Sequence, residues 1–79
     1  MVFPNPVKDN LHLLFDKYGI HRFRLRLMAL NGRVLLDRNV EFDGVDYSLT
    51  IGGAEFTTGV YLLEVRENGE TFSTKIMIQ

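Results

Sequence analysis

Two Asn-Gly dipeptides, Asn31-Gly32 and Asn68-Gly69, each lie between stretches whose apolar residues fall at every second position. Both residues of such a dipeptide tolerate the positive φ that a tight hairpin turn demands, and a period of two gives a strand one apolar face. Together they commit the chain to antiparallel β structure. Arg22 to Leu30 sets Phe23, Leu25, Leu27 and Ala29 against Arg22, Arg24, Arg26 and Met28, and Arg33 to Phe42 is the return strand. A two-residue turn also predicts the register. Leu30 faces Arg33, Arg26 faces Asp37, Arg22 faces Glu41, Phe23 meets Val40 and Leu27 meets Leu36. The same count puts Arg38 inward opposite Leu25, a misfit that a bulge or a place on the sheet rim would relieve.

The second hairpin joins Gly59–Glu67 to Glu70–Gln79. It predicts Tyr61 opposite Ile76 and Val65 opposite Phe72 on the inner face. Val60, Leu62, Glu64 and Arg66 then share the outer face with Thr71, Ser73, Lys75 and Met77. Earlier in the chain, Asn10 to Phe15 alternates around Leu11, Leu13 and Phe15. Tyr47, Leu49 and Ile51 make a short strand ending at Gly52-Gly53, and Ala54 to Thr58 holds one helical turn at most. Turns every ~8–12 residues and no helical period predict an all-β fold, an immunoglobulin-like antiparallel β-sandwich of about six or seven strands. Only the architecture is implied, because the chain has neither Cys nor Trp.

With 79 residues the chain makes one domain, residues 1–79, with a thin core. Met1-Val2-Phe3-Pro4 lacks the charged and apolar regions of a signal peptide, so the chain reads as a domain excised from a longer protein. A net charge of −1 argues against a nucleic-acid partner.

Nothing in the spacing points to catalysis or to a cofactor. His12 and His21 have no further histidine at ligand spacing and read as solvated residues, His21 in a loop. Asp43-Gly44-Val45-Asp46 offers hard oxygen ligands but lacks a calcium-loop pattern, and a turn explains it as well. No nucleophile motif or phosphate-cradling loop occurs, so no enzyme is expected. Arg22, Arg24 and Arg26 form a basic stripe that reads either as an anion-binding face or as a solvated face neutralised by Asp37 and Glu41. Val60, Leu62 and Met77 form an outward apolar patch, which marks either a partner-facing surface or ground covered by another strand.

Four segments recur in a meaningful order: Phe3-Pro4-Asn5-Pro6-Val7, Leu30-Asn31-Gly32-Arg33-Val34-Leu35, Thr58-Gly59-Val60-Tyr61-Leu62-Leu63 and Thr74-Lys75-Ile76-Met77-Ile78-Gln79. Over essentially its whole length the chain resembles the type A C-terminal sorting domain of the type IX (Por) secretion system of Gram-negative bacteria. The resemblance implies a domain carried at the end of a larger cargo protein. It implies recognition in the periplasm and passage of the cargo through the outer-membrane translocon to the cell surface or medium. A sortase-like peptidase would then remove the domain at or before its N-terminal edge. Pro4, Asn5, Pro6, Gly59, Tyr61 and Lys75 would be the signature positions. The prolines would hold an extended entry strand, Gly59 would permit a sharp entry that turns Tyr61 inward, and Lys75 would guard the last edge or meet a partner. Val60, Leu62 and Met77 would face that partner. Unpaired edges favour a dimer in the isolated domain. The alternative is a carbohydrate-binding, adhesive or spacer module, for which Tyr18 and Tyr47 are the plausible platform aromatics.

Overall fold

The computed structural model describes residues 1–51 and 56–79. Five strands form among them: β1 Val2–Phe3, β2 Asn10–Ala29, β3 Val34–Thr50, β4 Gly59–Glu67 and β5 Glu70–Ile78. All pair antiparallel within one sheet. β2 is central, with β3 along one edge; β1 and then β4 share its other edge, and β5 flanks β4. The sheet curls into a half-barrel around the core.

The count of about six or seven strands falls to five because two pairs of expected strands are continuous. Asn10–Phe15 and Arg22–Leu30 are the two ends of β2, and Arg33–Phe42 and Tyr47–Ile51 are essentially the two ends of β3. Both long strands kink where Gly19 faces Gly44, beside a register shift between Leu14 and Gly19. The kink explains the glycine: Gly44 has φ +151°, and a Cβ there would stand 2.7 Å from the Phe42 ring. The described residues thus form one curled sheet in place of two facing sheets. Of the turn expected over 54–58, residues 54 and 55 lie outside the described residues, as do Gly52 and Gly53, and 56–58 are irregular.

The first hairpin keeps the expected pairs from Leu27–Leu36 outward for a different reason, and loses Leu30 opposite Arg33, because Arg33 bonds to Ala29 and Leu30 lies in the loop. Its loop has three residues, not two. Gly32 N–H donates to the Ala29 carbonyl (3.0 Å), Ala29 N–H donates to the Arg33 carbonyl (2.9 Å), and Gly32 takes φ +91°. This is a turn closed by a glycine bulge. It shifts the register by one residue, giving Met28↔Val34, and a bulge beside Leu27 shifts it back, giving Leu27↔Leu36, Arg26↔Asp37 and Arg22↔Glu41. Arg38 does face Leu25, and its side chain is exposed because β3 is the rim of the sheet. The second hairpin is the expected two-residue turn, with Asn68 and Gly69 both at positive φ.

The core is the set of inward positions that alternation marks out: Leu11, Leu13, Phe23, Leu25, Leu27, Leu49, Ile51, Tyr61, Leu63, Val65 and Ile76, joined by Val7 and Ile78. Each buried aliphatic side chain contributes roughly 1.5–3 kcal/mol relative to exposure. Phe72 departs from expectation. It lies opposite Val65 yet is 47% exposed, because among the described residues no strand pairs with β5 beyond it at the mouth of the half-barrel.

Candidate recognition surface

The two ends of the chain converge on β5. Asn5 is exposed, but its amide acts as a surrogate peptide group for the strand edge. Its Oδ1 accepts from Met77 N–H (2.8 Å) and its Nδ2 donates to the Lys75 carbonyl (3.4 Å). Two residues on, Val7 N–H donates to the Met77 carbonyl (2.7 Å) and Gln79 N–H to the Val7 carbonyl (2.8 Å), a parallel bridge to Ile78. Val7 is completely buried. Ile51 N–H donates to the Asp9 carbonyl (2.7 Å), so the entry segment links β5 to the end of β3. The extended entry strand expected of Pro4 and Pro6 is absent. A two-residue β1 pairs with β2, both X-Pro bonds are cis, and the chain crosses to β5 with both prolines exposed.

Tyr61 turns inward as expected. Its hydroxyl donates to the Thr57 carbonyl and lies 3.2 Å from Thr57 Oγ1, and Phe56 packs edge-on against the ring at 6.3 Å. This ties the entry to β4 down to the core. Gly59 needs no such explanation. It pairs with Ile78, and an added Cβ would make only ordinary contact, 3.8 Å, with the Tyr61 ring. The fold therefore does not require glycine there, and the expected sharp entry is not its reason. Lys75 is exposed opposite Leu62.

The outer face of the sheet divides in two. Towards one end, Val34 pairs with Met28, Met28 with Leu62 and Leu62 with Lys75, and Val60 pairs with Met77 one step further on. Leu30, Val34, Val60 and Met77 are exposed. The patch of Val60, Leu62 and Met77 is thus wider than the hairpin alone suggests. Met28, Leu30 and Val34 were out of reach of the sequence because the β2–β4 register depends on a long-range pairing that no turn dictates.

Towards the other end the face is charged. Arg22 Nε donates to Glu41 (2.8 Å), Arg24 grips Asp37 with two bonds (2.9 and 2.7 Å), and Arg26 reaches Glu64 (3.4 Å). The paired guanidinium of Arg24 holds the Asp37 carboxyl below its ordinary range. The stripe is therefore largely neutralised, with Arg66 added to it opposite Arg24.

Neither histidine is simply solvated. His12 stacks on Phe3 (5.1 Å) and its Nδ1 lies 2.9 Å from Asp46. His21 is part of β2, not a loop, and stacks on Phe15 at 4.0 Å. Asp43–Asp46 is the interior of β3 rather than a turn. Tyr47 packs edge-on between Phe23 and Phe42, at 5.4 and 5.5 Å, which removes it from any exposed platform; Tyr18 is exposed.

The result is a single curled β-domain whose entry segment is fastened to its last strand, with an apolar outer patch beside them. The family model described as "Secretion system C-terminal sorting domain" matches residues 1–79, the whole chain, and the chain belongs to that family. Its class is therefore a type IX sorting signal, which directs export across the outer membrane to the cell surface or medium, and the family is not one of enzymes. No curated protein and no solved structure matches the chain.

Proposed function

We propose that the domain is read as a folded signal, through the β5 edge and the apolar patch beside it, while its cargo is in the periplasm. The observation that carries this reading is the convergence at β5. The signature residues Asn5, Gly59 and Lys75 lie far apart in sequence, yet all sit on or beside the last strand. The inner neighbours of β5 build the core, while the side chains of Lys75, Val60 and Met77 are exposed among the described residues. Exposed apolar positions grouped in this way serve association. An unpaired strand edge offers backbone groups to a partner strand, and among the described residues Thr71 to Thr74 provides one beyond the stretch that Asn5 and Val7 cover.

The whole of residues 1–79 acts in this reading as one domain fused behind its cargo, removed after transit by a sortase-like peptidase at or before its N-terminal edge. The same free edge supports dimerisation of the isolated domain. Within the fold, the Tyr61 hydroxyl bonded four residues back to Thr57 is the corner device of immunoglobulin-like sandwiches, and it supports placing the half-barrel with them.

The test is to replace Val60 and Met77 by Ser, separately and together, in a cargo carrying this domain. Both are at least partly exposed, so each should cost the fold less than about 0.5 kcal/mol. The reading expects surface delivery to fall with cargo accumulating in the periplasm. Undiminished delivery by the double variant would remove the patch from recognition.

A further inference from the structure

The mouth of the half-barrel is a groove of about 830 Å³ between the kink of β2 and the β4–β5 hairpin, lined by Leu13, Phe15, Val65 and Phe72 among others. One side chain spans it. His21 Nε2 lies 2.8 Å from the Lys17 carbonyl, and Nδ1 lies 3.0 Å from Glu67 Oε2 on β4. The His21 side chain is 15% exposed and its ring is held in plane by Phe15.

Both partners of the ring are acceptors. A carbonyl can only accept, so Nε2 carries a proton. A carboxylate can only accept, so Nδ1 must carry one too. A neutral imidazole has a single N–H and satisfies one contact while setting a lone pair against the other oxygen. The shared proton belongs to the ring at neutral pH, because a carboxyl ordinarily ionises well below an imidazole. The arrangement therefore closes fully only around an imidazolium. The other charged groups of the groove are Asp16 and Lys17 on the kink, Glu67 on β4, Glu70 on β5 and the amino group of Met1, which donates to the Leu14 carbonyl. Three of these are carboxylates, and they favour the cation.

We propose that His21 is a proton-dependent clasp that fastens the kink of β2 to the β4–β5 hairpin, and that its deprotonation frees the hairpin tip and opens the groove at Phe72. The inference does not depend on the sorting reading. The backbone contact to Lys17 and then the Glu67 contact raise the His21 pKa above 6.5, against a smaller opposing effect of burial. A raised histidine pKa gives a stabilisation fully present below the unfolded value and lost as pH rises through the folded one. The clasp is thus closed below pH 6.5 and released as the pH rises through the raised His21 pKa.

Site-resolved NMR titration of the full chain tests this, with His12 as a separate signal. The result expected is a His21 midpoint above 6.5 that falls in Glu67→Gln, and amide exchange at Asn68–Phe72 that rises with pH beyond its intrinsic dependence. His21→Phe keeps an aromatic partner for Phe15 and drops both polar contacts, so the hairpin should exchange fast at every pH. A His21 midpoint at or below 6.5, or one unmoved by Glu67→Gln, would overturn the proposal. So would a hairpin whose protection in His21→Phe still follows wild type at low pH.

Discussion

Asn5 and Gly59 do opposite things for the molecule. Asn5 lends β5 a side-chain amide that both accepts and donates, beside two prolines that have no backbone N–H to give. Its presence therefore has a structural account. Gly59 has none: its backbone is one any residue adopts, and the space beside it accepts a methyl group. Gly59→Ala should leave the thermal midpoint of the isolated domain within a few degrees of wild type, since a compatible Gly→Ala change stabilises by about 0.4–1 kcal/mol. If glycine is there for a partner's close approach, the same variant lowers export. A domain that unfolds in Gly59→Ala would show instead that glycine serves the fold.

At the scale of elements, the kinked pair β2 and β3 decides the shape. Gly44→Ala drives a methyl group against the Phe42 ring at a φ that side chains rarely adopt. It should lower stability by roughly 1–3 kcal/mol in denaturant unfolding, whereas a change below about 0.5 kcal/mol would mean the kink is soft. The kink also marks what the sequence could not show. Alternation exposed the faces of the four longer strands, from Leu11 to Ile76, though not the two-residue β1, and both Asn-Gly turns were legible, the first with one loop residue too few, because side-chain period and turn chemistry are local. Continuity of β2 past Gly19 is not local. It depends on backbone pairing with residues some 25 positions away, and composition around Tyr18-Gly19 reads as a loop. In the first hairpin the pairs from Leu27–Leu36 outward held because two shifts cancelled, the three-residue loop and the bulge beside Leu27, while Leu30 opposite Arg33 was lost to the loop. Val7 was missed for a similar reason: one apolar residue between Pro6 and Lys8 carries no period, and only its bridge to Ile78 buries it.

For the whole molecule, the surface divides between what holds the fold and what the fold leaves over. The arginine stripe is answered by Asp37, Glu41 and Glu64, and the inner face is consumed by the core. The apolar patch around Val60 and Met77 and the outer edge of β5 remain. The connection between Asn5 and Lys75 was not legible in the sequence, because the two lie 70 positions apart and meet only once β5 is in place. The central claim is that this folded surface is a sufficient sorting signal. The direct measurement fuses residues 1–79 to the C-terminus of a periplasm-targeted fluorescent reporter in a host with type IX secretion and in a translocon-deficient strain. The account predicts reporter at the surface or in the medium only where the translocon is intact. Reporter confined to the periplasm of both strains, with the domain folded, would contradict it.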